Sequence, residues 1–224
     1  MPNFMLCLSH FCELHGPQII VCTQVTIEDK KQEYIHSSSS NQGVCASCQL
    51  ILPDNAANLV TNSDSKIFIS TAYPSSQKRY AALKKLMMKS LSVETVSDIV
   101  KPMFFGDAIY GYCLNKIFKL YDINARGQER KYSLMMVCDS ESDLLQNWDI
   151  LTLYMSEFID LIQQRVSQTN AKLHRLSSGS MVDNERYLRR SMARPKSLIE
   201  LTNDDQIFVK FHLWAVETLK DTLR

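Results

Sequence analysis

The sequence has no apolar run long enough to cross a bilayer and no excess of charge of either sign. No stretch of it approaches the ~20 apolar residues that a transmembrane helix needs. The formal net charge of the 224 residues is only +1, which argues against the basicity expected of a nucleic-acid-binding protein. The N-terminus has neither the basic flank nor the small-residue cleavage site of a signal peptide. We therefore expect a cytoplasmic protein that does not bind nucleic acid.

Glycines are few, and motifs of catalysis are absent. Six glycines are present, and none forms the glycine-rich loop by which P-loop proteins cradle phosphates. The serine, histidine and aspartate residues have no nucleophile-elbow context, so the sequence gives no support for a hydrolase. We expect no intrinsic catalytic activity and no cofactor.

The seven cysteines are irregularly spaced, and an odd number fits reduced thiols better than a disulfide framework. Cys45 and Cys48 have the spacing of metal ligands, but no second Cys-x-x-Cys or His-x-x-His pair follows them. Cys12, His10 or His15 would complete a site only if the loop folded back onto the N-terminal hairpin. We expect polar turn or edge positions for both histidines. Free thiols or a structural loop are the favoured interpretation, no metal site is predicted, and metal binding by Cys45 and Cys48 is left open.

The N-terminal segment has the pattern of a buried hairpin. Residues Phe4 to Cys12 are almost uncharged, and residues Gln18 to Val25 are rich in β-branched side chains, with the breaker Gly16-Pro17 between them. Because the first run is apolar on both faces, we expect a central strand in a sheet that is covered on each side. Tyr132 to Cys138 has the same two-sided pattern and is predicted as a second central strand.

Further strands and two helices complete the predicted domain. Strands are predicted over Lys66–Tyr73 and, as one bent strand or two, over Ala108–Tyr121. Helical spacing of apolar residues predicts one helix that is capped by Ser75 or Ser76 and runs to about Leu91. It predicts a second helix from Ser140 through Val166. The order of the elements predicts an α/β sandwich, in which a mainly antiparallel sheet of about five strands lies between helices.

The sequence divides into one domain and a C-terminal appendage. We expect the domain over residues 1–168, with a polar insertion at 26–65 that holds one short ordered piece around residues 49–52. A flexible basic linker is predicted over residues 169–197. Residues 198–224 form an amphipathic helix, capped at Thr202–Asp205, whose apolar face must be buried on the domain, on a downstream domain or on a partner.

Five segments, in consistent order over nearly the whole chain, closely resemble the folliculin family. They are His10-Phe-Cys-Glu-Leu-His-Gly-Pro17, Cys45-x-x-Cys48, Phe104-Phe-Gly-Asp107, Ala125-Arg-Gly-x-x-Arg130 with Tyr132-Ser133, and Ser197-Leu-x-x-Leu-Thr-x-Asp-Asp205. The serine run at 37–40 and the divergent intervening sequence look like a fungal member. Ser9 stands where the animal members have a cysteine, and the insertion is shorter and lacks their long acidic run.

The resemblance implies a longin (profilin-like) fold and, in the family, a C-terminal DENN domain into which residues 198–224 would lead. It also implies pairing with a folliculin-interacting-protein-like longin–DENN partner. The pair would stimulate GTP hydrolysis by a Rag-type GTPase in amino-acid signalling to the TOR complex. Its recruitment to the vacuolar or lysosomal membrane would be peripheral, through partners. By its Ala-Arg-Gly context, Arg126 matches the family's catalytic arginine.

An arginine supplied in trans suits this chemistry, because its protonated planar fork neutralises charge that grows in the transition state of phosphoryl transfer. We expect Arg126 on an exposed turn before the last central strand, with Gly127 allowing close approach of the backbone. Arg130 either braces this turn or is an ordinary surface arginine. The alternative function is a non-catalytic scaffold that recruits the GTPase and the partner. Nucleotide exchange is a weaker option that rests on analogy with other DENN-containing proteins.

Overall fold

A computed structural model describes residues 3–36, 45–63, 65–92, 101–177 and 194–223. Its strands are β1 (Met5–Cys12), β2 (Gly16–Thr26), β3 (Leu59–Ser63), β4 (Lys66–Thr71), β5 (Met103–Asp107), β6 (Gly111–Tyr121) and β7 (Glu129–Cys138). They form one sheet in the order β3-β4-β2-β1-β7-β6-β5, and each neighbouring pair is antiparallel. Both strands predicted to be central have a partner on each side.

Helices cover both faces of the sheet. They are α1 (Gln77–Leu91), α2 (Glu141–Gln146), α3 (Trp148–Ser177), α4 (Leu198–Thr202) and α5 (Ile207–Thr222). Leu83 and Met87 of α1 pack on one face of the sheet against Met5 and Cys7 of β1. The later helices pack on the opposite face, so that every residue of β1 except Phe11 is buried. The predicted α/β sandwich is confirmed, and it is of the longin-like class.

The sheet has seven strands, where the sequence predicted about five. The predictions missed β3, which lies in the polar insertion, and β5, which comes just before the strand or strands predicted over Ala108–Tyr121. Both are edge strands with partly exposed residues, so their apolar pattern is weak. The expected breaker Gly16-Pro17 was also wrong, because both residues pair within the hairpin and the turn lies at residues 13–15.

The insertion at 26–65 contains more regular structure than the predicted piece at residues 49–52. In addition to β3 it forms 3-10 turns at Glu28–Glu33, Ala46–Cys48 and Pro53–Asn55. Leu50 and Leu52 are buried in the main core. The serine run at 37–40 lies outside the described residues.

The C-terminal segment docks on the domain. The helix predicted to end near Val166 continues through Ser177. Residues 178–193 of the predicted linker are not described. On α5, Phe211 and Trp214 pack against Phe158 of α3, with ring centroids 5.7 and 4.5 Å away. Of the three places left open for the apolar face of this helix, the structure shows the domain itself.

The predicted cap at Thr202–Asp205 was wrong. Thr202 ends α4, and Asn203 follows in the left-handed conformation with a φ of 49°. The residue before α5 is Gln206, which makes no side-chain cap. Among the described residues, no helix combines the length and the apolarity that a bilayer crossing requires.

Candidate functional site

Arg126 lies in the connection between β6 and β7, where the sequence predicted it. Arg126–Gln128 form one 3-10 turn, and the N–H of Gln128 donates to the carbonyl of Ala125 at 2.9 Å. Gly127 has a φ of 71°, a conformation that glycine adopts without steric cost. Ala125 is buried and Arg126 is exposed. The turn is therefore anchored at one residue and presents the next to solvent.

A buried ion pair closes the base of this turn. Nε of Arg130 donates to Oδ2 of Asp122 at 2.7 Å, and the two side chains are 2% and 0% exposed. Nζ of Lys196 lies 3.7 Å from Oδ1 of Asp122, and the Asn124 N–H donates to the same oxygen at 3.1 Å. The N–H of Asp122 donates to the carbonyl of Gln128 at 2.9 Å. Because so many donors converge on one buried carboxylate, the turn is fixed in one conformation, and Arg130 braces it.

The turn between β1 and β2 touches the Arg126 turn from the side. Oε1 of Glu13 accepts the backbone N–H of Arg126 at 2.6 Å. The guanidinium of Arg126 has no hydrogen-bond or ion-pair partner among the described residues. Phe11 and Leu14, on either side of Glu13 in the sequence, are 42% and 65% exposed. Exposed arginine and aromatic side chains are enriched in protein–protein interfaces.

Four potential metal ligands meet at the same hairpin. Cys12 and His15 come from the end of β1 and the following turn, and Cys45 and Cys48 come from the 3-10 turn of the insertion. Their ligand atoms lie within 4.8 Å of one another. The loop therefore folds back onto the hairpin, which is the condition that a metal site at Cys45 and Cys48 requires.

His10, the other histidine that the sequence offered for this cluster, lies elsewhere. It is fully buried in β1, and its ring stacks on Tyr132 with centroids 5.5 Å apart. Burial lowers the pKa of His10 to about 3, and the nearby Arg130 adds to this effect, so the ring is neutral. The expected turn or edge position was wrong for His10, because β1 is a central strand and His10 lies opposite Gln18 of β2 and Tyr132 of β7. His15 lies exposed in the turn, as expected.

The comparison with known families gives one matching family model. It is named Folliculin, is described as a vesicle coat protein involved in Golgi to plasma membrane transport, and matches residues 66–222. This range runs from β4 to the end of α5 and includes the Arg126 turn. It covers most of the chain.

Individual relatives point to the same family. Protein LST7 of Saccharomyces cerevisiae is 29% identical over 96% of this chain and 94% of its own length. Folliculin-like protein bhd1 of Schizosaccharomyces pombe is 32% identical over 64% of this chain and 43% of its own length. Human Folliculin is 23% identical over 94% of this chain and 44% of its own length.

The chain thus spans nearly all of LST7 but less than half of bhd1 and of human Folliculin. Three of the five sequence segments of the family, at residues 104–107, 125–133 and 197–205, lie within the residues that the family model matches. This chain belongs to the folliculin family and forms a folliculin-type longin domain.

Proposed function

We propose that this domain is part of a GTPase-activating subunit. Together with a folliculin-interacting-protein-like partner, it stimulates GTP hydrolysis by a Rag-type GTPase in amino-acid signalling to the TOR complex. Arg126 acts as an arginine finger, and the chain itself has no catalytic activity. The observation that supports this proposal is the Arg126 turn, where an exposed guanidinium stands on a braced backbone.

The proposed chemistry is stabilisation of charge in the transition state. A GTPase supplies its own phosphate loop and Mg²⁺, and negative charge shifts toward the bridging oxygen and the γ-phosphate oxygens during transfer. A guanidinium stays protonated and donates to two oxygens in one plane, whereas a lysine offers a point charge. Since this contact strengthens only as charge develops, it raises the rate of hydrolysis more than the affinity for GTP.

The local structure favours entry of the Arg126 side chain into a partner's active site. The backbone N–H of Arg126 is already bound to Glu13, and the ion pair of Asp122 with Arg130 fixes the ends of the turn. Little backbone conformational entropy is therefore lost on docking, and the main entropic cost is that of ordering the Arg126 side chain. A Cβ built on Gly127 would have no heavy atom within 4 Å, so that side of the turn is open to a partner's backbone.

We also propose that the protein is cytoplasmic and is recruited to the surface of the vacuole or lysosome through its partners. This part rests on the family resemblance. It requires that the partner or the GTPase, when membrane-bound, leaves the Arg126 turn accessible.

Binding to a transition-state analogue tests whether Arg126 acts as an arginine finger. The complex of this protein with its partner should bind the Rag-type GTPase loaded with GDP and aluminium fluoride more tightly than the same GTPase loaded with GDP alone. Arg126→Ala should lose this preference, and Arg126→Lys should lose most of it. Binding of the GTPase loaded with a non-hydrolysable GTP analogue should stay unchanged. Lys78→Ala, which removes an exposed cation from α1, is the matched control.

A non-catalytic scaffold is the second candidate, and a different surface favours it. Ile150, Leu153 and Leu161 of α3 are 37%, 58% and 37% exposed and lie on one side of the helix. In the scaffold alternative, Leu153→Lys releases a partner, whereas Arg126→Ala changes neither the preference for the analogue nor hydrolysis. Undiminished preference for aluminium fluoride in Arg126→Ala would therefore reject the finger.

A further inference from the structure

We propose that Cys12, His15, Cys45 and Cys48 bind one structural zinc ion. The four residues are the group of metal-ligating side chains that the fold assembles between the N-terminal hairpin and the insertion. The proposal concerns metal binding and does not depend on the GTPase-activating role of the protein.

Four of the six distances between the ligand atoms match those around tetrahedral zinc, and the other two are no longer than 4.8 Å. With Zn–S near ~2.3 Å and Zn–N near ~2.0–2.1 Å, a tetrahedron has S···S edges of about 3.8 Å and S···N edges of about 3.6 Å. Sγ of Cys45 lies 3.6 Å from Sγ of Cys12 and 3.6 Å from Sγ of Cys48. Nδ1 of His15 lies 3.7 Å from Sγ of Cys12 and 3.5 Å from Sγ of Cys48. A disulfide would need sulfur atoms about 2 Å apart.

The local backbone explains why these side chains converge. The ligands come as one Cys-x-x-His pair and one Cys-x-x-Cys pair, a spacing that lets both side chains of a turn reach one ion. In the second pair, the N–H of Cys48 donates to the carbonyl of Cys45 at 2.9 Å and closes the turn. In the first pair, β1 ends at Cys12 and the hairpin turn carries His15 back toward it.

The surroundings fit a closed, structural site. Oγ of Ser47 lies 3.1 Å from Sγ of Cys45 and 3.6 Å from Sγ of Cys12, and Ser47 is 1% exposed. Its hydroxyl can donate to a metal-bound thiolate, as outer partners of zinc ligands commonly do. Four protein ligands leave no open position for a substrate, so a catalytic role for the ion is not expected.

The site would fasten the insertion to one end of the sheet. It would also fix the turn that carries Glu13, since Glu13 lies between two ligands in the sequence. Because Glu13 accepts the N–H of Arg126, the ion supports the Arg126 turn from the side. This last consequence alone rests on the proposed function.

Metal analysis of the purified 224-residue chain tests the site. Prepared without chelator, the wild type should contain one zinc ion per chain by plasma mass spectrometry. Exchange for Co²⁺ should give the d–d and thiolate-to-metal absorption of a tetrahedral site with sulfur ligands. Cys45→Ser and Cys48→Ser should lose nearly all bound metal, and His15→Asn should bind it more weakly. Cys22→Ser and His36→Asn, which lie outside the cluster, should keep it.

A second measurement does not depend on the folding of variants. Removal of the metal from the wild type with a strong chelator should lower its Tm by roughly 5 °C or more, and added zinc should restore the Tm. The proposal is overturned if the wild type holds no zinc and fails to bind Co²⁺. It is equally overturned if mass spectrometry finds a disulfide between Cys45 and Cys12 or Cys48, or if a folded Cys45→Ser variant keeps its zinc. None of these measurements uses GTP hydrolysis as its readout, so the zinc site and the proposed function fail independently.

Discussion

Arg126 and Arg130 lie in the same hairpin, but one is exposed to solvent and the other is buried. Arg130 is 3% exposed and is paired with Asp122, whereas Arg126 is exposed. The buried guanidinium cannot reach a partner protein, and it holds the backbone on which the exposed one stands. The difference in burial therefore gives Arg130 a structural role and leaves Arg126 accessible to a partner.

Removal of Asp122 should destabilise the whole domain. Asp122→Ala leaves the Arg130 charge buried without its main partner, and breaking a buried pair on one side costs about 3–5 kcal/mol. We expect a lower free energy of unfolding by about 3 kcal/mol or more, measured by urea denaturation with an unchanged m-value.

The same hairpin offers a matched control. Glu129 pairs with Lys119 at 2.6 Å, but these side chains are 49% and 43% exposed. Glu129→Ala should therefore change the free energy of unfolding by less than about 1 kcal/mol. Equal effects of the two variants would show that the Asp122 pair does not brace the turn.

For single residues, the sequence predicted the exposed position of Arg126 but not the burial of Arg130 or the contact between Cys12 and Cys45. An arginine followed by glycine between two strands is readily assigned to an exposed turn, and Arg126 lies in one. The burial of Arg130 was not predictable, because charged residues are normally exposed and its partner Asp122 lies at the far end of the connection, just after β6. The meeting of Cys12 with Cys45 was stated only as a condition, since local patterns carry no information about a contact across thirty-odd residues.

The short helix α4 begins with a complete capping box. Oγ of Ser197 accepts the N–H of Glu200 at 3.2 Å, and Oε2 of Glu200 accepts the N–H of Ser197 at 2.8 Å. This reciprocal capping box leaves fewer unpaired groups at the helix start. Since α4 and α5 lie on the same sheet face as α3, the cap supports the docking of the whole C-terminal segment.

Ser197→Ala should lower the free energy of unfolding by about 1 kcal/mol, because an N-cap side chain is lost and Ser197 is buried. Ser76 caps α1 from an exposed position at 3.5 Å, so Ser76→Ala should cost less. Urea denaturation of both variants checks this order. A larger loss in Ser76→Ala would contradict the assigned caps.

Elements with strong periodicity were predictable, and edge elements were not. The two-sided apolar runs of β1 and β7 and the stripe of α3 identify buried elements from the sequence. β3 alternates between half-buried and exposed residues, with Val60 and Asn62 exposed, and its register depends on pairing with β4. The docking site of α5 could not be predicted, because an apolar stripe does not specify the surface that covers it.

At the scale of the whole molecule, polar contacts fix α5 across the sheet. The ring nitrogens of His212 lie 2.8 Å from Oγ1 of Thr61 and 2.7 Å from Oγ of Ser70, on strands β3 and β4. Burial lowers the pKa of His212 to about 4, from an ordinary value of 6.5. The folded domain therefore holds this ring neutral in a pH range where the unfolded chain protonates it.

The free energy of unfolding should consequently decrease as the pH is lowered from 6.5 to about 4. In this window the unfolded chain binds a proton at His212 that the folded chain does not, so the free energy of unfolding rises with pH. His212 contributes up to about 1.4 kcal/mol per pH unit to this slope. His10, whose pKa burial also lowers, contributes in the same direction. Urea denaturation across the window measures the slope. His212→Gln, which keeps a polar side chain without the titration, should give a smaller slope. Identical slopes would rule out His212 as the cause.

The antiparallel strand order brings the β1–β2 turn and the Arg126 turn to one end of the sheet. The β1–β2 turn lies at the same end as the β6–β7 turn, because β1 pairs with β7 and His10 faces Tyr132 in that ladder. Glu13, the Arg126 turn and the four-ligand cluster therefore form one contiguous region.

Whether Arg126 completes the active site of a GTPase can be measured by single-turnover hydrolysis of GTP. The assay combines this protein and its partner with each Rag-type GTPase of the source organism preloaded with GTP. We predict that Arg126→Ala lowers the stimulated rate constant by about 10³-fold or more, or to the unstimulated rate if that is reached first, with Arg126→Lys close to it. Both variants should still bind the GTPase. Unchanged hydrolysis in Arg126→Ala would contradict the account and leave the domain as a recruiting scaffold.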